Sequence, residues 1–273
     1  IKLNGKEVGS VTFENTYTPA KTSVTITKKW EDDGNRDGKR PEDIEVKLLA
    51  DGKDTGKRLT LSSGNSWTGI FEDLDEKANG RKIAYTVEEV NVDGYTSVTA
   101  GDAKTGFTIT NSHTPETTEV SGSKTWDDNR NQDGVRPESI TIRLHADGKE
   151  IESKTVKAGE DGTWSWSFTG LKKYRDHGAL IKYTVTEDNV EGYTAEITGY
   201  NVKNTHTPGK TSISVTKAWS DDNDRDGKRP EDIEVKLLAD GNDTGKRVTL
   251  SSGNSWTGIF EDLDEKANGR KIA

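Results

Sequence analysis

Three kinds of polar residue stand where an alternating pattern demands apolar ones. Val24, Ile26, Lys28 and Trp30 fall on one face of an extended segment, with Thr25, Thr27 and Lys29 on the other. The same register gives Val120, Gly122, Lys124 and Trp126, and then Ile213, Val215, Lys217 and Trp219. A later segment aligns Ile83, Tyr85, Val87 and Glu89, and its counterpart Ile181, Tyr183, Val185 and Glu187. A third aligns Phe107, Ile109 and Asn111, and Tyr200, Val202 and Asn204; near the start of the chain, Val11, Phe13 and Asn15 share a face. One Lys, one Glu and one Asn are therefore aimed at a common interior, twice in full. A lone buried charge costs several kcal/mol, so three such groups together call for an arrangement in which each compensates the others. A buried Lys–Glu ion pair with the Asn hydrogen-bonded beside it is one such arrangement, and periodicity alone does not choose between it and others.

Other candidate chemistry is weaker. Asp222-Asn223-Asp224-Arg225-Asp226-Gly227 and the stretch from Asp33 to Gly38 open like a calcium loop, as do Asn129, Asn131 and Asp133. The twelfth position is Ile44, Ile233 or Ile140, where such a loop needs a bidentate Glu. These stretches are expected to be solvated turns, with no metal and no cofactor. His113, His145, His177 and His206 lack metal-ligand spacing and are expected at the surface. Ser-Gly-Asn-Ser at 63–66 and 252–255 is a turn, not a nucleophile elbow. Trp30, Trp126 and Trp219 lie in the apolar register, which favours core packing over a sugar platform.

The elements that position these residues recur along the chain. Trp30-Glu31-Asp32-Asp33, Trp126-Asp127-Asp128 and Trp219-Ser220-Asp221-Asp222 each precede a D-G-x-R-P segment ending at Pro41, Pro137 or Pro230. Residues 30–84 and 219–273 are nearly identical, and the middle copy is more diverged. Tyr17-Thr18-Pro19, His113-Thr114-Pro115 and His206-Thr207-Pro208 form short, extended junctions. The expected division is a tail of a preceding unit at 1–19, complete units at 20–115 and 116–208, and a truncated unit at 209–273. Period-two runs such as Ile44, Val46, Leu48 and Trp164, Trp166, Phe168 lie between Asp-Gly and Asn-Gly turn signals. They predict an all-β sandwich of about seven short strands per unit. The stretches 75–82 and 172–180 have room for one helical turn each.

Composition agrees with several small cores: of 273 residues, 29% are hydrophobic and 32% charged. A net charge of -9 argues against a nucleic-acid partner. With no Cys there are no disulfides or thiol chemistry, and with no Met the chain is expected to be a segment of a longer protein. No apolar run has the length of a membrane span.

The K-x-W strand with its D-G-x-R-P turn, the Y-T-V-x-E strands (Tyr85–Glu89, Tyr183–Glu187), the Gly-Tyr-Thr that follows each (Gly94–Thr96, Gly192–Thr194) and the terminal x-x-N-x-x-T-P resemble the collagen-adhesin B-type (Cna-B-like) domains of Gram-positive surface proteins and pilins. The resemblance covers essentially the whole chain. It implies tandem inverse immunoglobulin-like (prealbumin-like) β-sandwiches, each closed by an amide between the Lys amine and the Asn side chain with the Glu as catalyst. Carried over residue by residue, it pairs Lys28 with Asn111 through Glu89, and Lys124 with Asn204 through Glu187. Lys217 and Asn15 belong to incomplete units. Desolvation disfavours the charged forms of both an amine and a carboxyl, which suits a neutral nucleophile beside a proton donor. The bond forms once per unit, so no turnover is implied. The resemblance further implies a monomeric stalk on the extracellular, cell-wall-anchored surface of a Gram-positive bacterium. Its partners would be the neighbouring repeats and, through a head domain elsewhere, a host matrix protein. An alternative is that the repeats themselves grip a host matrix protein or glycan. A hydrolase lacks any catalytic constellation.

Overall fold

The computed structural model describes residues 2–7, 9–10 and 12–273, almost all of it strand and turn. Two compact units make up the chain: residues 1–117 with 172–180, and residues 118–171 with 181–273. The first repeat supplies β1 (Lys21–Glu31), β2 (Asp43–Ala50), β3 (Lys53–Ser62), β4 (Thr68–Asp75), β5 (Tyr85–Glu89), β6 (Thr96–Asp102) and β7 (Gly106–Ser112). They form a four-stranded sheet in the order β6-β7-β1-β4 and a three-stranded sheet in the order β3-β2-β5. First and last strands lie side by side and parallel, with Ile109 opposite Lys28 and Asn111 opposite Trp30. The second repeat repeats the plan with β8 (Thr117–Asp127), β9 (Ser139–Ala146), β10 (Lys149–Lys157), β11 (Trp164–Lys172), β12 (Tyr183–Glu187), β13 (Thr194–Thr198) and β14 (Asn201–Thr205). Its sheets run β11-β8-β14-β13 and β10-β9-β12. Seven principal strands per unit, in two sheets, is the predicted architecture.

The third repeat has β15 (Lys210–Thr216), β16 (Asp232–Ala239), β17 (Asn242–Ser251) and β18 (Thr257–Asp264), paired as β15-β18 and β16-β17. Leu250, Phe260 and Leu263 are buried, while Ile213, Leu238 and Ile259 stay exposed. At the start of the chain Phe13 and Asn15 are exposed and lie in no strand. The closing strand expected there is not formed: residues 12–19 lie in no strand and pair with no other segment among the described residues; Val11 lies outside them.

Apolar alternation builds the cores. Val24, Ile26, Val46, Leu48, Leu61, Phe71, Val87 and Ile109 fill the first sandwich, and Ile142, Leu144, Trp166, Phe168, Val185 and Val202 the second. The stretch 75–82 holds a hairpin pairing Lys77–Ala78 with Arg81–Lys82, not a helical turn. Asn79 and Gly80 both take positive φ there (49° and 76°), the two-residue turn that matches strand twist. The stretch 172–180 does contain a 3-10 turn, at Asp176–Gly178.

One packing difference separates the middle repeat from its neighbours. Ile26 faces Gly69 across β1 and β4, and Val215 faces Gly258 across β15 and β18. A Cβ on Gly69 would meet Leu61 at 2.8 Å, so the large residue sits on the first strand of each pair. In the second repeat the sizes are exchanged, and a Cβ on Gly122 would fall 2.0 Å from the Tyr200 carbonyl oxygen and 2.7 Å from the Trp166 indole. Gly122→Ile is therefore expected to destabilise the second repeat by about 1–3 kcal/mol through overpacking. Adding Trp166→Gly relieves the indole clash but not the one with the Tyr200 carbonyl, so it should return only part of that stability. Denaturant unfolding of the two variants checks it; a Gly122→Ile protein with an unchanged midpoint would refute the packing argument.

Candidate functional site: a buried Lys–Glu–Asn cluster

In β1 the inward positions Val24 and Ile26 are fully buried, and the next one in phase is Lys28, whose side chain is 0% exposed. In β5 the buried Tyr85 and Val87 lead in phase to Glu89, on the opposite sheet. In β7 Phe107 and Ile109 lead to Asn111. The three side chains converge between the sheets. Lys28 Nζ lies 3.2 Å from Glu89 Oε1, and the Asn111 amide donates to the same oxygen at 3.1 Å. Trp30 roofs the lysine, its ring centroid 4.2 Å from Nζ.

The second repeat reproduces the cluster. Lys124 Nζ lies 2.9 Å from Glu187 Oε1, both side chains being essentially inaccessible to solvent, and 4.5 Å from the Trp126 ring. Asn204 is fully buried on the neighbouring strand, opposite Trp126 in the register as Asn111 is opposite Trp30. Burial pushes both lysines below the usual amine value, against the opposing pull of Glu89 and Glu187. Several polar atoms here make no directed hydrogen bond: both lysine Nζ atoms, Glu89 Oε2, Asn111 Oδ1, both Glu187 oxygens and both amide atoms of Asn204. Buried polar groups are nearly always paired, so this concentration is unusual. The structure thus brings together Lys28, Glu89 and Asn111, and Lys124, Glu187 and Asn204. Among the described residues it brings no Glu or Asn of this kind to Lys217, half-buried 4.6 Å over Trp219, and Asn15 is exposed.

Around each cluster lies a network whose roles the sequence motifs did not disclose. Asp32 accepts from the Asn35 backbone N–H (2.9 Å), Arg40 Nε (2.9 Å) and Tyr95 Oη (3.0 Å). Asp128 does the same with Asn131, Arg136 and Tyr193. Burial opposes the charge on Asp32, yet Arg40, Asn35 and Tyr95 together hold it below the usual carboxylate range. Trp30 packs edge-to-face with Trp67 and Tyr95, and Arg40 lies over it at 5.2 Å. The W-x-D, D-G-x-R-P and G-Y-T motifs are the three corners of this lid; their joint recurrence was the available signal. Trp30 and Trp126 are half-buried against the cores of their repeats, as expected, whereas Trp219 packs half-buried against Trp256 and joins no buried core cluster among the described residues. The histidines His113 and His206 are not solvated: their side chains are 9% and 17% exposed, held against Asp37 and Asp133.

The sequence pattern of the Cna protein B-type domain matches residues 24–112, 120–205 and 213–273. The chain belongs to this family. Over all 273 residues it is 47% identical to a collagen adhesin of Staphylococcus aureus, and it spans 23% of that protein's length. A crystal structure of two B repeat units of the collagen binding protein of Staphylococcus aureus shares 47% identity with it. The match covers 94% of this chain and 68% of that one, with a TM-score of 0.64. The chain is a run of Cna B-type repeats, stalk-like units of surface adhesins; the family is a structural repeat and not a known enzyme family. Each Lys–Glu–Asn cluster joins the first, last and facing strands of one Cna B-type repeat.

Proposed function

We propose that the chain is a stalk segment of a bacterial surface adhesin in which each complete repeat closes itself with a Lys–Asn amide: Lys28 with Asn111, and Lys124 with Asn204. The observation that carries this is the convergence of three buried polar side chains with so many unpaired atoms. An ion pair alone leaves them unpaired, whereas an amide consumes the amine and the carboxamide. Shifting one proton within the 3.2 Å Lys28–Glu89 contact turns ammonium and carboxylate into neutral amine and acid with no net change of charge. A half-turn of the Asn111 amide puts its oxygen where the acid donates, polarising the carbon. Lys28 Nζ then attacks Asn111 Cγ. The new N–C bond forms as the C–Nδ2 bond breaks, and a proton lost from Nζ passes through the Glu89 carboxyl to the leaving nitrogen, which departs as ammonia. Confinement by the sandwich supplies the effective concentration.

In this reading the units are those at 20–115 and 116–208, with 1–19 and 209–273 as parts of two more, and the whole protein sits on the outer, cell-wall-anchored surface. Engagement of a host matrix protein would fall to another part of that protein. Intact mass measurement should show the loss of two ammonias from the sequence mass, and peptide mapping should place them at Lys28–Asn111 and Lys124–Asn204. A folded protein with the unmodified mass would overturn the proposal.

A further inference from the structure

The junction residues His113 and His206 each sit between two oxygens. His206 Nδ1 lies 2.7 Å from the Gly192 carbonyl oxygen and Nε2 lies 3.0 Å from Asp133 Oδ2. His113 has the same contacts, with Gly94 at 2.9 Å and Asp37 at 3.0 Å. A carbonyl and a carboxylate oxygen only accept. A neutral imidazole has one N–H and satisfies one of them; an imidazolium satisfies both. The same carboxylate oxygen also takes the backbone N–H just beyond the Thr-Pro step: Gly209 to Asp133 at 3.0 Å, and Glu116 to Asp37 at 2.7 Å. One aspartate thus holds each linker on both sides of its proline.

The second linker depends on this bracket more than the first. Glu116 adds its own side chain, bonded to Lys39 (3.0 Å) and Lys173 (2.8 Å), which hold its carboxyl at about 2. Gly209 stands at the equivalent place and has no side chain to offer. The loop bearing Asp133 also touches the third repeat through backbone: the Gly269 N–H donates to the Gln132 carbonyl at 2.9 Å. Gly134, at φ 69°, has no room for a Cβ, which would fall 2.5 Å from Gly269 Cα.

We propose that His206 and Asp133 form a pH-dependent clamp on the linker between the second and third repeats, closed while the imidazole carries both protons and opened when it loses one. The groups facing His206 are Asp133, the Tyr193 ring at 5.3 Å and, beyond it, Asp128; Lys266 and Glu265 of the third repeat lie on the Asp133 side. Tyr193, pushed up to about 12 mainly by burial, stays neutral throughout. Asp133, with Gly192, raises His206 above its ordinary 6.5. The contribution of His206 is therefore complete below pH 6.5 and disappears as pH climbs through the raised value. The Gly209 N–H and His206 hold Asp133 below its ordinary 3.8, so its contribution is complete above that pH and lost on acidification through the lowered value. The clamp is tightest between those limits.

Ring resonances of His206 in the full chain should titrate above 6.5. Each unit of displacement corresponds to about tenfold stronger bracketing of the charged ring. The protection factor of the Gly209 amide, corrected for intrinsic exchange, should fall several-fold across the same titration while amides of β14 keep theirs. Asp133→Asn should bring the His206 titration back toward 6.5. His206→Gln, which can donate only from its amide and carries no charge, should leave Gly209 protection low and flat with pH. A wild-type His206 that titrates at or below 6.5 would overturn the proposal, as would Gly209 protection that ignores the titration.

Discussion

Stretched from its two ends, the chain is expected to release almost no length from its two complete repeats before the tether itself fails. Tension reaches the first repeat through β1 and leaves through β7, and these strands are direct neighbours. With Lys28 joined to Asn111, force passes through the bond. The chain between residues 28 and 111 is bypassed, leaving only the ends of the repeat free to peel away. The second repeat is bypassed in the same way between Lys124 and Asn204. Lys28→Ala restores the long path and should add an unfolding step on the order of 25–30 nm, from about 3.3–3.6 Å per released residue. Lys124→Ala should add its own. The lost cross-link also removes about 4–5 kcal/mol of loop-closure stabilisation, by analogy with a disulfide of similar span. Full-length steps from the complete repeats of the wild-type chain would refute the stalk role, even with both amides proven by mass.

Much of this arrangement was legible from period-two register. The seven principal strands per unit and the inward positions of Lys28, Glu89 and Asn111 follow from alternation, because a strand has two faces and its neighbours in phase are apolar. Three features escaped for physical reasons. The hairpin at 75–82 was read as a possible helical turn because polar residues surround it. Its decisive signal was the Asn79-Gly80 pair, a local backbone preference that periodicity does not register. The burial of His113 and His206 depends on Asp37 and Asp133, which lie far away in sequence, so residue type alone suggested a solvated surface. The role of Asp32 likewise required Arg40 and Tyr95 to come together. The Gly122–Trp166 exchange was visible in the text as two departures from the pattern, but only strand pairing joins them into one compensating pair.

The sharpest division between catalyst and scaffold is expected from the glutamates. Glu89 is the carboxyl within reach of both reacting groups of the first repeat, at 3.2 Å from the amine and 3.1 Å from the amide. Glu187 contacts Lys124 in the second. The two sites lie in separate cores, so each carboxyl can serve only its own lysine. Glu89→Gln keeps the volume and a hydrogen-bonding end, but an amide cannot shuttle the proton from Nζ to the leaving nitrogen. The first repeat should then fold with Lys28 and Asn111 unlinked, and intact mass should fall by one ammonia instead of two. Glu187→Gln should give the mirror result, and the double variant should keep its full sequence mass. Asp32→Asn is the matching control. It weakens the hydrogen bonds to Arg40 and Tyr95, worth about 1.5–3 kcal/mol each where a charge takes part, yet touches no reacting atom. That variant should melt earlier and still lose two ammonias. If the double glutamine variant lost them as well, the proton relay would have to run through another group and the role given to the glutamates would fall.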